Sequence, residues 1–393
     1  MKRIGILTFH RAINYGAYLQ SYSLQNYIND HFPDCNTEII DYIPNIEYKK
    51  IFRNILGTLK RKGLFECHRE IKKVCVFQKS LAYQKLSDLH MKKDDFNRLF
   101  HYIDSHYDVV VVGSDAILNW NQNGFPSAYY LDYNFNVPMI MYAASAHGLK
   151  YFDINEQQKA YCKRCFSRFS LLGIRDENTE NFIHYCNPEL NTIHTCDPTF
   201  LIDKKKVLEI AADTQKIAKR KYHFSFDQQY IVTMVNNEIL QKKIRDEFGE
   251  KYTIVSLFKP NRYSDVFMYD LNPFQWVYVL AHANLVITQY FHGALLSMRY
   301  GTSTMVVDAA NPEDNYISKL YDVIVNRLSF YDRYSTEKDL LCGNTDFWTT
   351  ANQLVCTDES EMINAKMDRE AESSNAYFEM VKSLLEHECK KGD

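Results

Sequence analysis

Four short segments set chemically capable side chains directly after stretches that read as buried strands. Residues 283–288 read as a strand and Gly293 to Met298 as the first turns of a helix, so His292 falls on the turn between them. Ligands collect beyond the carboxyl ends of strands in open α/β sheets, and a helix start favours anions. A histidine there can donate to a phosphate or shuttle a proton near neutral pH; the alternative is a histidine that only caps the turn. Arg175, followed by Asp176, ends another strand. Its planar fork suits carboxylate or phosphate, the alternative being a structural salt bridge. Gly113-Ser114-Asp115 suits sugar hydroxyls, with Asp115 able to accept a proton or to cap a helix. In Asn14-Tyr15-Gly16-Ala17, Gly16 lets the backbone approach a ligand and the helix start beyond it can hold an anion. Neither a Walker A loop nor a Gly-x-Gly-x-x-Gly fingerprint occurs.

The elements that must position these segments alternate. Strands are expected at residues 3–9, 37–41, 108–112, 138–142, 171–175 and 191–195, with helices at 17–30 and 176–184. Residues 204–229 are charged and helical in pattern and read as the passage to a second series. That series has strands at 230–235, 252–256, 285–288 and 303–307, and helices at 237–248, 273–282 and from Gly293. Strand–helix alternation implies parallel sheets covered on both faces. The expected fold is α/β, with two doubly wound, Rossmann-like domains facing a cleft. The first spans residues 1–203 with a basic helical insertion at 46–100, and the second spans 204–357. A helix at 358–393 would cross back to the first domain.

With 393 residues, 46% hydrophobic and 24% charged, the chain has an ordinary globular composition and room for two domains. No apolar run approaches a membrane span, and no signal peptide is apparent at the start, so a cytoplasmic location is expected. Ten scattered cysteines are expected to be free thiols. Cys162-Lys163-Arg164-Cys165 lies in a helical pattern and lacks a second close pair, so no metal site is expected. Charge is uneven. Ten Lys or Arg between Lys49 and Lys79 face only Glu66 and Glu70, a local +8 in a chain of net charge −3. Ile51, Phe52, Ile55, Leu56 and Leu59 fall on one helical face there. Such a helix can lie on an anionic membrane surface through residues 49–62, or pack on its own domain and solvate its lysines. No nucleic-acid module surrounds the patch, so nucleic acid is not an expected partner.

Asn14-Tyr15-Gly16-Ala17 with Leu19-Gln20, Gly113-Ser114-Asp115, Tyr142-Ala143-Ala144-Ser145, Gly173-Ile174-Arg175-Asp176, Asp197-Pro198-Thr199 and Phe291-His292-Gly293 follow one another in the order seen in polysaccharide pyruvyl transferases. The chain resembles that family from residue 1 to about residue 310. The resemblance implies a GT-B-like fold and an enzyme that moves pyruvate from phosphoenolpyruvate onto a sugar of a surface-polysaccharide precursor, usually as a ketal. It maps the donor-binding arginine to Arg175 and the active-site histidine to His292, beside Gly293. Asp115 and Asn14, with Tyr15, Gly16 and Ser114, would face the acceptor, a glycan or lipid-linked oligosaccharide. Lys259 and Arg262, after a predicted strand end, would add cationic charge for the donor. No metal or cofactor is implied beyond phosphoenolpyruvate as co-substrate. Two departures stand out. Ala116 and Leu118 replace a polar residue and a tryptophan common in the family, and Gln289 stands four before the glycine of the histidine motif. The alternatives are a GT-B glycosyltransferase with a nucleotide-sugar donor, and a family member that binds sugar or anion without turnover. With a lipid-linked acceptor, the protein would sit peripherally at the inner face of the membrane.

Overall fold

Residues 1–310 and 317–389 are described by a computed structural model. They form two units. One holds Met1–Glu70, Gln78–Ile202 and the chain from Ala371; the other holds Ile71–Phe77 and Asp203–Glu370.

In the first unit, strands β1 (Lys2–Leu7), β2 (Cys35–Ile39), β3 (Val109–Val112), β4 (Met139–Ala144), β5 (Leu171–Ile174) and β6 (Ile193–His194) build one sheet. The sheet is parallel throughout, in the order β2-β1-β3-β4-β5-β6. Four consecutive valines form β3, and all are buried. Successive strand residues face opposite ways, so Val110 and Val112 pack with Leu99, Ile103, Phe166 and Phe182 on one side. Val109 and Val111 pack with Leu24, Ile28, Tyr377 and Val381 on the other. Both faces need apolar cover, which explains the unbroken hydrophobic run.

The helix expected to run unbroken from residue 358 is two helices, Ser360–Glu372 and Asn375–Cys389; residues 390–393 lie outside the described residues. The break buries Ser374, whose hydroxyl accepts from the Cys196 amide at 2.8 Å. The last helix belongs to the first unit. Tyr377 seats over Gly173, where a Cβ would lie 2.7 Å from the tyrosine ring.

The second unit carries β7 (Tyr230–Met234), β8 (Thr253–Leu257), β9 (Val266–Met268), β10 (Leu285–Thr288), β11 (Thr304–Asp308) and β12 (Tyr334–Thr336). These are again all parallel, in the order β12-β11-β10-β7-β8-β9. The edge strands β9 and β12 are three residues long, too short to leave a readable alternation. Residues 204–229 are not a bare passage: Lys204–Ile210 and Thr214–Tyr222 are helices of this unit. The two units make a GT-B-like two-domain α/β fold.

The basic stretch, expected as a helical insertion at 46–100, is helical only in part. Its helix, Asn45–Ser80, is interrupted at Gly63, whose φ of 82° no side-chain-bearing residue adopts easily. Leu86 and Met91 then form bridges to Ile39 and Tyr42 before the helix Phe96–His106 begins.

Each sheet has a topological switch point, where consecutive connections leave in opposite directions and ligands collect beyond the strand ends. In the first unit it lies between β1 and β3. In the second it lies between β7 and β10.

Candidate active site

The first switch point gathers the Asn14 and Gly113-Ser114-Asp115 segments. Gly113 has φ 150°, and a Cβ there would lie 1.9 Å from the Tyr142 carbonyl oxygen, so only glycine fits against β4. Asp115 follows in the left-handed region at φ 70°, which aspartate tolerates. β4 is irregular beside it. Ala143 has φ 48° and the pairing with β5 shifts between Met141 and Ala144. That irregularity lets the Ser145 amide donate to the Asp115 carbonyl at 2.9 Å, tying the ends of β3 and β4 together.

Arg175, at the end of β5, is 1% exposed. Its Nη1 donates to Asp197 Oδ2 at 2.8 Å and its Nη2 to Asp115 Oδ1 at 3.3 Å. Burial works against the guanidinium charge, but Asp115, Asp197 and Asp176 outweigh it and hold the pKa above the usual arginine value. Asp197 also accepts from Gln20 Nε2 and from the amide and hydroxyl of Thr199. Asp176 caps the helix Glu177–Cys186 and accepts from Ser145 Oγ. One buried cation thus stands among three carboxylates, and Arg175 engages protein carboxylates in this structure. The Ser114 hydroxyl is buried and has no hydrogen-bond partner among the described residues.

Asn14 uses its side-chain oxygen to cap the helix Tyr15–His31, accepting from the amides of Gly16 at 3.0 Å and Ala17 at 3.3 Å. The helix start expected to hold an anion is therefore closed by its own cap, and Tyr15 is buried in the core rather than turned to solvent. Ala116, Ile117 and Leu118 are buried as well, so the departure from the family pattern falls on core side chains.

At the second switch point, His292 lies in the first turn of the helix Phe291–Arg299 and is buried. Tyr290 is the N-cap, and its side chain makes no capping hydrogen bond. A Cβ on Gly293 would lie 2.7 Å from Met234 Cε and 2.8 Å from Thr288 Oγ1, so glycine brings the helix close onto β7 and β10. Thr288 Oγ1 in turn accepts from the Tyr290 amide at 2.9 Å. Gln289 accepts from the Asn236 amide at the end of β7 and donates to Glu337, which also accepts from Asn237 Nδ2. The Phe258 ring lies 5.5 Å from that of Tyr290, which brings the loop after β8 to this turn. Lys259 and Arg262 on that loop are exposed, and Arg262 pairs with Glu238 at 3.0 Å.

Gln20 and Asp197, named from the sequence only as parts of the family segments, complete the Arg175 cluster. Two groups were not singled out from the sequence. Lys319 sits with its ammonium 4.8 Å from the Phe291 ring centroid, at the start of the His292 helix. The other is a charged knot beyond β1 and β2. There Asp41, 1% exposed, accepts from Arg11, from His10 Nε2 at 3.0 Å and from His90 Nδ1 at 2.5 Å.

The Cys162–Cys165 pair lies in the helix Glu156–Phe166 and is buried. Hydrogen bonding to Cys186, then burial, holds the Cys162 thiol far above its usual pKa. Among the described residues no group of three His, Cys, Asp or Glu could hold a metal ion.

Solved structures share this fold at low identity. The UDP-GlcNAc 2-epimerase of Neisseria meningitidis, bound to UDP-GlcNAc, aligns at 10% identity over 95% of this chain and 99% of its own, with a TM-score of 0.53. The UDP-N-acetylglucosamine 2-epimerase of Rickettsia bellii aligns at 9% identity over 98% and 97%, with a TM-score of 0.52. The UDP-GlcNAc 2-epimerase of Methanocaldococcus jannaschii aligns at 13% identity over 92% and 94%, with a TM-score of 0.50. At such identities the likeness establishes the fold alone. No curated protein sequence matches the chain. The model of the polysaccharide pyruvyl transferase family matches residues 14–311, the span that holds all four strand-end segments. The chain therefore belongs to the polysaccharide pyruvyl transferase family, and its activity is pyruvyl transfer.

Proposed function

We propose that the protein moves pyruvate from phosphoenolpyruvate onto two hydroxyls of a glycan as a ketal. The second unit would bind the donor at the His292 turn, and the first would bind the acceptor at the Asp115 strand end. The observation that carries this reading is the contrast in the charged groups gathered at the two switch points. At the first, one arginine stands among three carboxylates and the helix start is closed by Asn14, a poor place for a trianionic donor. At the second, a helix start whose N-cap residue, Tyr290, makes no side-chain cap carries His292, with Lys259, Arg262 and Lys319 in neighbouring segments. Phosphoenolpyruvate bears a carboxylate and a phosphate and favours such a place.

In this reading His292 delivers a proton to the methylene carbon, making it a methyl group. The first sugar hydroxyl attacks the adjacent carbon and gives its proton to Asp115. The bond from that carbon to the phosphate oxygen breaks, and the helix start with its lysines takes up the developing phosphate charge. The second hydroxyl closes the ketal and its proton leaves on inorganic phosphate. Ser114, whose buried hydroxyl has no partner among the described residues, orients the acceptor. Arg175 acts as a positioning residue that aims Asp115, instead of clamping the donor.

Calorimetric titration of phosphoenolpyruvate, paired with phosphate release in the presence of a glycan acceptor, tests the assignment. Asp115→Asn should keep donor affinity and lose turnover by about 10²–10⁴-fold, whereas His292→Asn should weaken both. Binding of a uridine diphosphate sugar with none of phosphoenolpyruvate would overturn the proposal in favour of glycosyl transfer.

A further inference from the structure

The helix Asn45–Ser80 carries an apolar stripe that the fold does not cover. Phe52, Leu56 and Leu59 lie on one face and are exposed, Phe52 by 53% and Leu56 by 56%. The interruption at Gly63 turns the chain sharply. The Cys67 thiol reaches the Ile55 carbonyl at 3.9 Å, though an unbroken helix would separate residues that far apart in sequence by about 18 Å. The bend presents Leu64 and Phe65 at its outer end, 80% and 67% exposed. Immediately before them stand Lys60, Arg61 and Lys62, all exposed, and Lys49, Lys50 and Arg53 are exposed along the same helix. Between Asn45 and Glu70, seven Lys or Arg face Glu47, Glu66 and Glu70.

From this we infer that the bent helix is a membrane-docking element, seating Leu64, Phe65 and the 52–56–59 stripe among the acyl chains of an anionic bilayer while its lysines and arginines hold the headgroups. Exposed apolar side chains next to a cationic run are what an interfacial element requires, and each cation near an anionic leaflet adds to the attraction. The charge argues against a second copy of this chain, which would set like charges against each other. The apolar tip argues against nucleic acid, which offers it no apolar phase. Among the described residues no helix is long and apolar enough to cross a membrane, so the contact is peripheral. A corollary, resting on the proposed transfer to a glycan, is that the acceptor is lipid-linked and met at the bilayer surface.

Co-sedimentation with vesicles of phosphatidylcholine alone, and of phosphatidylcholine mixed with phosphatidylglycerol, tests the docking without either substrate. The full chain should sediment only with the anionic vesicles. Lys60→Glu/Arg61→Glu/Lys62→Glu should weaken that binding by about a hundredfold, and Leu64→Glu/Phe65→Glu should abolish it. Because all five side chains are solvent-exposed, both variants should keep the wild-type melting temperature and pyruvyl transfer to a water-soluble acceptor. Failure of the wild type to bind anionic vesicles would overturn the inference. So would vesicle binding that survives both variants, a dimer that the Leu64→Glu/Phe65→Glu change dissolves, or an oligonucleotide bound as tightly as the vesicles. Loss of transfer to the soluble acceptor in the His292 variant, with vesicle binding intact, would bear on the active site alone.

Discussion

Replacing Arg175 separates two roles that the residue type permits equally, a clamp on the donor or a strut for protein carboxylates. The guanidinium is 1% exposed and donates to Asp197 at 2.8 Å and to Asp115 at 3.3 Å. Arg175→Met leaves both carboxylates buried without it, and breaking a buried pair from one side costs about 3–5 kcal/mol. Against a total stability of about 5–15 kcal/mol that is large, and the melting midpoint should fall by about 10 °C. Adding Asp197→Asn removes one of the uncompensated charges while keeping an oxygen for Thr199. The double variant should regain stability, with a coupling of about 2 kcal/mol across the cycle. In that refolded background phosphoenolpyruvate affinity should match the wild type. Turnover should drop by about a hundredfold, because Asp115 loses the group that aims it. Scanning calorimetry gives the cycle, and isothermal titration gives the donor affinity. Additive stability losses would refute the strut. Donor binding weakened by about 1.4 kcal/mol or more, a factor of ten, in a folded double variant would return Arg175 to the donor site.

Two further outcomes follow from the geometry. Gly293→Ala drives a Cβ against Thr288 Oγ1 and Met234 Cε; the methionine can move, but the threonine hydroxyl holds the Tyr290 amide. A loss of about 1–3 kcal/mol and weaker phosphoenolpyruvate binding should appear together in thermal and calorimetric titrations, and an unchanged affinity would detach the turn from the donor. Burial pushes the Asp41 carboxyl upward, yet donors from Arg11, His10 and His90 hold it well below the usual carboxylate range. A depressed folded pKa means that its contribution is present above the unfolded value near pH 4 and is lost as pH falls further. The stability gap between wild type and Asp41→Asn, about 3 kcal/mol at neutral pH, should therefore narrow in acid; a gap constant with pH in denaturant titrations would contradict the assignment.

The chain by itself determined where chemistry gathers. A parallel strand–helix repeat writes its strands as apolar runs, as in Val109 to Val112, and whatever polar residue follows each run must stand at the ligand edge. Hence Asp115, Arg175 and His292 were legible as strand-end residues, and the doubly wound architecture was legible with them. What each of those residues touches there was decided only by tertiary structure. The partners of Arg175 come from the ends of β3 and β6, 60 positions before it and 22 after it, and no local pattern encodes a pairing across four strands. Asn14 looked free to meet a ligand, but the two amides it caps become available only once the helix forms. Strands β9 and β12 were silent because three residues carry too little alternation. The helix Asn45–Ser80 concealed its bend because a lone glycine within a helical pattern reads as tolerated, and the left-handed φ of Gly63 exists only once the chain has turned. Composition and spacing revealed that the stretch was basic and amphipathic; the exposure of Leu64 and Phe65 emerged only from the fold.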